Sequence, residues 1–452
     1  MPAMTPDQLV LLSAREQARA IAAGSVDEPD LLEATLRRLR TVDAIVHAVV
    51  HLDEEGARRG ATEAAAGRRR GEALGPLHGV PCSIKDWIDV AGMPCTGGER
   101  RFSGRRPPRD ATAVARLRRA GAIVIAKTNV GERSEAFGPT FNPHDVRRTP
   151  TGSSSGEAAL VAAAGSAFGL GSDSGGSLRQ PAHACGVLTI RPTTGLVPLT
   201  GHFPPITPLL DPRTVIGPIA RSVDDLALVL SLLAGPDGED ASALPFALRD
   251  PAKVPIDGLR IAFWTEQSDC RPTPATVATV ERAAEALVGA GAHVVADRPD
   301  GLEAVYPITR TYWSLPESED ADAWRPSGRS EASADDVQRF RFEWDALRRR
   351  LTGFFARYDV ALTPVTEGPA VLHGEDAGSI APTLTFSLGG QPAVVLPFGR
   401  SPEGMPIGVH VVAGVGHDHV ALAVARALER AGGGWSLPPG VPPAPTPRDR
   451  PA

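Results

Sequence analysis

Residues 157–168, EAALVAAAGSAF, constrain this chain more than any other segment, because they read as a helix of small residues that is apolar nearly all round. Such a helix has no face to give to water and must be enclosed by other elements. At 452 residues the chain is long enough to build that enclosure around a large core. Two glycine- and serine-rich clusters bracket the helix, TPTGSSSGE at 149–157 and GSDSGGSLR at 171–179.

The flanking sequence supplies the enclosing elements. Apolar spacing of three and four residues predicts helices at 7–23, 29–50 and 53–70. Val80, Cys82 and Ile84 alternate through 79–84, which predicts a strand ending at Lys85. A helix at 111–120, Gly121 and an apolar strand at 122–126 follow; strand 259–264, helix 276–290 and strand 292–296 repeat the rhythm. That alternation is α/β logic. Ser222 is placed to cap a helix reaching about 233, and a long helix covers 333–357 before the apolar run 360–362. Strands at 392–397 and 407–413 precede a last helix at 418–431. Residues 315–330, acidic and tryptophan-containing, read as a variable loop, and the tail from Pro438 is proline-rich and irregular. No repeat or long linker divides the chain, so one α/β unit is expected.

Composition excludes several classes. Lysine and arginine total 47 against 53 acidic residues, a net charge of −6, which gives nucleic acid no positive surface to meet. The run Arg68, Arg69, Arg70 reads as a solvated helix face. Cys82, Cys95, Cys185 and Cys270 form no C-x-x-C pair, so reduced thiols in a cytoplasmic protein are expected. The polar N-terminus leads into an amphipathic helix rather than a signal core, and no run of about 18 apolar residues predicts a membrane span.

Chemistry concentrates in few residues. Lysine occurs only at Lys85, Lys127 and Lys253. A desolvated lysine can lose its proton, whereas arginine stays charged, so Lys85 at a strand end invites a chemical role. Gly175 and Gly176 before Ser177 allow successive N–H groups to converge, as an oxyanion site or as a simple turn. Ser154 with Glu157 forms a capping-box pattern, which leaves Ser153 outside the helix. GSSSG at 152–156 also fits a nucleophile elbow on Ser154, but 145–151 is polar, contains Pro150 and makes a poor preceding strand. His183 and His202 fall into no Ser-His-Asp order. His417 and His419 lack a companion ligand cluster, so no metal is expected.

Taken together, these stretches resemble the amidase signature family of serine hydrolases. The matching segments are GVPCSIKD at 79–86, AKTN at 126–129, FGPT at 137–140, Asn142-Pro143, GSDSGGSLRQPA at 171–182, CGV at 185–187, GPIARS at 217–222, and 391–393 through to Gly408. The likeness runs from about 5 to 435. It implies one large domain over 1–437, with N-terminal helices at about 5–70, a signature core at about 75–235 and a tail at 438–452. It also implies a central mixed β-sheet covered by helices on both faces. By matching position Ser177 is the nucleophile, Ser153 the bridging serine beside a cis peptide bond, and Lys85 the base. The N–H groups of Ser174, Gly175, Gly176 and Ser177 become the oxyanion hole, supported by Ser154, Asp173 and Arg179. Phe137, His202, Phe203 and Trp313, with Trp324, are candidates for the pocket wall and equally for plain packing. Ser155, Thr189 and Arg191 depart from the family pattern.

The implied activity is hydrolysis of a small-molecule carboxamide, with no cofactor, nucleic acid or membrane involved and with monomer or homodimer left open. One alternative is the glutaminase-type subunit of a tRNA-dependent amidotransferase, which RQPA at 179–182 resembles and which requires partner subunits; 195–205 looks more like free-standing amidases. Acyl transfer to an amine is a second alternative. A catalytically silent scaffold is the rival from another class.

Overall fold

Period-two alternation decides which side of a strand each residue covers, and this chain uses it to bury both sides of one sheet. The computed structural model describes residues 5–443 apart from 132–133, 207–210, 246–247, 268, 316–327 and 329–331. Its strands are β1 Val49–Leu52, β2 Pro81–Lys85, β3 Ile123–Thr128, β4 Phe168–Asp173, β5 Leu188–Arg191, β6 Val215–Ala220, β7 Arg260–Phe263, β8 His293–Ala296, β9 Val360–Pro364, β10 Ala393–Arg400 and β11 Pro406–Ala413. They form a single sheet in the order β1-β3-β2-β4-β6-β5-β10-β11-β9-β7-β8. β2 runs parallel to β3 and β4, and β7 parallel to β8 and β9. The other pairings are antiparallel, so the sheet is mixed.

Consecutive residues of the central strands go to opposite cores. Val394 and Leu396 pack with helices Thr112–Arg119, Val223–Leu233, Pro274–Gly289 and Asp418–Arg430, whereas Val395 packs with helices Glu28–Val46 and Ser155–Ala162. A third core gathers helices Val305–Trp313, Ala334–Arg357 and Ala381–Gly389 against Ala361 and Val412. The expected α/β architecture, with helices on both faces, is what the chain adopts. None of the described helices is long and apolar enough to cross a membrane, and all four cysteines are free and buried.

Several element boundaries differ from the sequence reading. The helix expected over 7–23 is two helices, Pro6–Leu9 and Ala14–Ala22, because Ser13 and Glu16 form a capping box that restarts it. The helix expected to reach 50 stops at Val46, with His47 left-handed, and Val49–Leu52 becomes a strand antiparallel to β3. The apolar helix stops at Ala162 rather than 168, since Phe168 begins β4. No strand was expected at β5 or β6; β5 has only four residues, and β6 is buried on both faces and lacks a polar–apolar alternation. In the proline-rich tail, residues 444–452 lie outside the described residues.

Helix Ser155–Ala162 lies against β4 across glycines. Phe168 and Leu170 turn to one core, while Gly169 and Gly171 face the helix. A Cβ at Gly169 would stand 1.7 Å from Glu157 Oε2, and one at Gly171 2.6 Å from Ser154 Oγ. Gly169→Ala is therefore expected to cost about 1–3 kcal/mol in urea unfolding, the usual range for overpacking. An unchanged midpoint would show that the helix can retreat.

Candidate active site

The C-terminal ends of β2 and β4 place the chemistry-bearing residues. Ser83 and Lys85 share the face of β2 opposite Cys82 and Ile84, and that face looks toward helix Ser155–Ala162. Lys85 is fully buried. Its Nζ lies 2.7 Å from Ser153 Oγ, 3.2 Å from Ser172 Oγ and 3.4 Å from the Ser172 carbonyl. The Trp87 ring lies 4.2 Å from Nζ. Burial drives the Lys85 pKa well below the usual lysine range, with Asp173 and Glu157 pulling the other way. An ammonium in this position is costly, so the neutral amine is favoured.

Ser153 follows a cis Gly152–Ser153 peptide bond. Ser154 does not cap the helix as its pattern suggested. Its hydroxyl donates to the Ser172 carbonyl at 3.2 Å, and its N–H donates to the Ser177 carbonyl at 3.0 Å, which joins the two serine clusters. Glu157, the expected capping partner, turns inward and accepts from Ser83 Oγ at 2.8 Å and Thr128 Oγ1 at 2.7 Å. The reason is position: Glu157 is fully buried between β2, β3 and β4, and its carboxyl needs donors there. Ser155 Oγ is buried with no partner among the described residues.

Burial pushes the Glu157 pKa up to about 8, against the two hydroxyl hydrogen bonds. The folded state then holds a proton that the unfolded state releases above about 4.5, so this carboxyl costs stability as pH rises towards 8. Glu157→Gln removes that cost. The melting temperature of the variant is expected to gain on wild type between pH 5 and pH 9; a constant difference would mean that Glu157 titrates normally.

The loop after β4 is braced from within. Asp173 accepts from Gly176 N–H at 2.8 Å, Leu178 N–H at 3.1 Å and Arg179 Nε and Nη2, both at 2.9 Å. Arg179 also donates to the Thr383 carbonyl and Ser387 Oγ. Arg179 holds the Asp173 carboxyl far below its usual range against burial. Gly176 sits at φ +138°, where a Cβ would lie 2.6 Å from Thr383 Oγ1, so only glycine fits.

One expected oxyanion donor is already spent. Gly176 N–H points at Asp173, whereas the N–H groups of Ser174, Gly175 and Ser177 have no acceptor among the described residues. Ser177 Oγ likewise bonds to no described residue. Ser153 Oγ thus meets Lys85 Nζ but forms no hydrogen bond with Ser177 Oγ.

The weaker candidates separate by location. His202 is buried, and its Nδ1 lies 2.9 Å from the Pro204 carbonyl, so Nδ1 carries the hydrogen. Burial lowers the His202 pKa to about 4, and its ring stands edge-on to Trp87 at 6.0 Å, near Lys85. Phe203 joins the same wall through its N–H to the Trp87 carbonyl, and packs on Phe102 and Arg105. Phe137 is half-exposed against His51. Trp313 is 56% exposed, so it is not packing; its neighbour Tyr312 turns inward. Trp324 lies outside the described residues. His183 is structural: its nitrogens meet the Gly368 carbonyl at 2.9 Å and Gly408 N–H at 3.0 Å. His417 and His419 approach each other at 5.9 Å, and among the described residues no group of three or more His, Cys, Asp or Glu is placed to hold a metal.

Sequence reasoning missed Thr383, whose hydroxyl donates to the Gly175 carbonyl at 2.8 Å, and Trp87 beneath Lys85. The departures are local packing. Arg191 donates to the Gln391 and Arg213 carbonyls, each at 2.8 Å, and Thr189 to the Pro218 carbonyl at 2.7 Å.

The Amidase family profile matches residues 30–324 and 318–422. A glutamyl-tRNA(Gln) amidotransferase subunit from Salinispora arenicola is 32% identical, with 95% of this chain and 99% of that protein covered. AmiB2 of Mycobacterium bovis, which bears an amidase name, is 36% identical over 95% of this chain and 98% of its own. Among solved structures, a 6-aminohexanoate cyclic dimer hydrolase superposes with a TM-score of 0.83 at 28% identity, covering 95% of this chain and 98% of that one. Fold, spacing and match over most of its length all agree that the chain belongs to the amidase family and is an enzyme acting on carbon–nitrogen bonds.

Proposed function

We propose that this chain cleaves a carboxamide through an acyl-enzyme on Ser177, with Ser153 and Lys85 as the proton relay. The observation that carries the reading is the buried Lys85 Nζ, 2.7 Å from Ser153 Oγ, whose neighbour Ser154 donates its N–H to the Ser177 carbonyl. Neutral Lys85 takes the Ser153 proton as Ser153 takes that of Ser177, and Ser177 Oγ attacks the carbonyl carbon. The N–H groups of Ser174, Gly175 and Ser177 receive the negative oxygen. The proton returns through Ser153 to the departing nitrogen as the C–N bond breaks. Water then attacks the ester, and Ser177 recovers its hydrogen while the carboxylate leaves.

Two settings use this chemistry. The relatives named as glutamyl-tRNA(Gln) amidotransferase subunits, 31–33% identical, favour a glutaminase-type subunit that works with partner chains. AmiB2 and the cyclic dimer hydrolase support a free-standing amidase. The chain purified alone is tested on aliphatic, aromatic and peptide-like amides and on glutamine, with ammonia and amine release measured and hydroxylamine added to trap acyl transfer. Turnover by the chain alone that Ser177→Ala abolishes is the expected result. Glutamine turnover confined to mixtures with partner subunits selects the amidotransferase setting. Turnover that survives Ser177→Ala overturns the mechanism.

A further inference from the structure

The strand register carries a charged side chain to the edge of the Ser177 loop. Asp173 of β4 pairs with Val215 of β6. One step along the same antiparallel register Thr214 meets Ser174, and their hydroxyls lie 2.5 Å apart. Arg213 precedes Thr214 in the chain and is 2% exposed.

The guanidinium of Arg213 is held but not satisfied. Nε donates to Asp211 Oδ1 at 3.1 Å, and the plane lies 3.5 Å over the Tyr312 ring. Asp211 is also engaged by the Arg213 N–H at 2.9 Å and the Thr214 hydroxyl at 2.6 Å. Nη1 is buried and has no acceptor among the described residues. Fully buried Arg179 and Arg191, by contrast, direct both of their terminal nitrogens onto carbonyls, hydroxyls or carboxylates of the chain. A buried cationic donor left open is costly, and a guanidinium pinned at Nε and by an aromatic face presents its terminal nitrogens in a fixed orientation.

We propose that Arg213 receives a carboxylate carried by the substrate, so that the preferred amides are those of acid-bearing molecules such as monoamides of dicarboxylic acids. This rests on the acyl-enzyme reading above. The carboxylate supplies the acceptor that Nη1 lacks, in the two-pronged geometry a guanidinium favours. A neutral amide of equal length leaves that donor unpaired in the complex, which is the basis of discrimination.

The test compares kcat/KM for glutaramate against pentanamide and succinamate against butanamide, in wild type, Arg213→Met and Arg213→Lys. Wild type is expected to favour the acid-bearing member of a pair by about a hundredfold or more. That ratio falls towards one in Arg213→Met and recovers partly in Arg213→Lys, mainly through KM. A wild-type ratio near one, or a ratio that Arg213→Met leaves unchanged, overturns the assignment. Urea unfolding is followed for each variant; should Arg213→Met fail to fold, an unchanged ratio in folded Arg213→Lys overturns it as well. Failure to turn over any of these amides while a fluorophosphonate still labels Ser177 sinks the carboxylate site and spares the acyl-enzyme. Selective turnover of acid-bearing amides without a Ser177 adduct does the reverse.

Discussion

Lys85→Ala is expected to lower kcat/KM for a good carboxamide by about 10³–10⁴-fold at pH 7, the upper range for a lost general base. The side chain is fully buried, bonded to Ser153 and driven towards its neutral form. In wild type the rate rises with pH as Lys85 loses its proton, and this acid limb disappears in the variant. Lys85→Arg separates a base from a mere cation: the guanidinium keeps a charge but cannot accept a proton, so a folded Lys85→Arg protein should be as slow as Lys85→Ala. Near wild-type turnover in either variant would assign the base elsewhere. The same shift has a stability consequence. The unfolded state binds a proton up to about 10.5 that the folded state has already lost, so wild type gains stability as pH rises through that window.

Asp173→Asn should have the largest effect on stability. The substitution leaves the Arg179 charge in a site with no solvent access and turns an amide NH2, in place of an oxygen, toward one of the two N–H groups of Gly176 and Leu178. Breaking one partner of a buried ion pair costs about 3–5 kcal/mol, measurable as a drop in the urea midpoint. A double replacement, Asp173→Leu with Arg179→Met, removes both charges and should recover much of that stability. Activity should not return with it, because the turn that aims Ser174, Gly175 and Ser177 has lost its anchor. Wild-type turnover in the double variant would show that the turn holds itself. The pH sense is that of a carboxylate held low: its contribution is present above about 3.8 and is lost as pH falls towards the depressed folded value.

The sequence made legible what is local and chemically unusual. Lys85 stands out among three lysines and ends an alternating strand, and Gly175 and Gly176 announce a sharp turn. The α/β rhythm was equally plain where a helix, a glycine and an apolar strand follow in order. What escaped depends on distance along the chain or on a second use of a familiar residue. Thr383 reaches Gly175 from more than two hundred positions away, and nothing about a threonine in an apolar helix signals it. Glu157 fits a capping box by spacing, but glycines at 169 and 171 let the helix sink onto β4, where the carboxyl serves buried hydroxyls instead. Gly176 supplies a turn, yet its own N–H is taken by Asp173, which the motif alone does not reveal. Arg213 follows a glycine-poor, proline-rich stretch and acquires meaning only through its neighbour Thr214, whose hydroxyl meets that of Ser174.

The most direct measurement is fluorophosphonate labelling of the purified chain, followed by peptide mapping of the adduct by mass spectrometry. The proposed relay predicts that Ser177 alone carries the phosphonyl group. Labelling should vanish in Ser177→Ala and slow sharply in Lys85→Ala and Ser153→Ala. An adduct on Ser153, Ser154 or Ser155, or undiminished labelling without Lys85, would contradict the account.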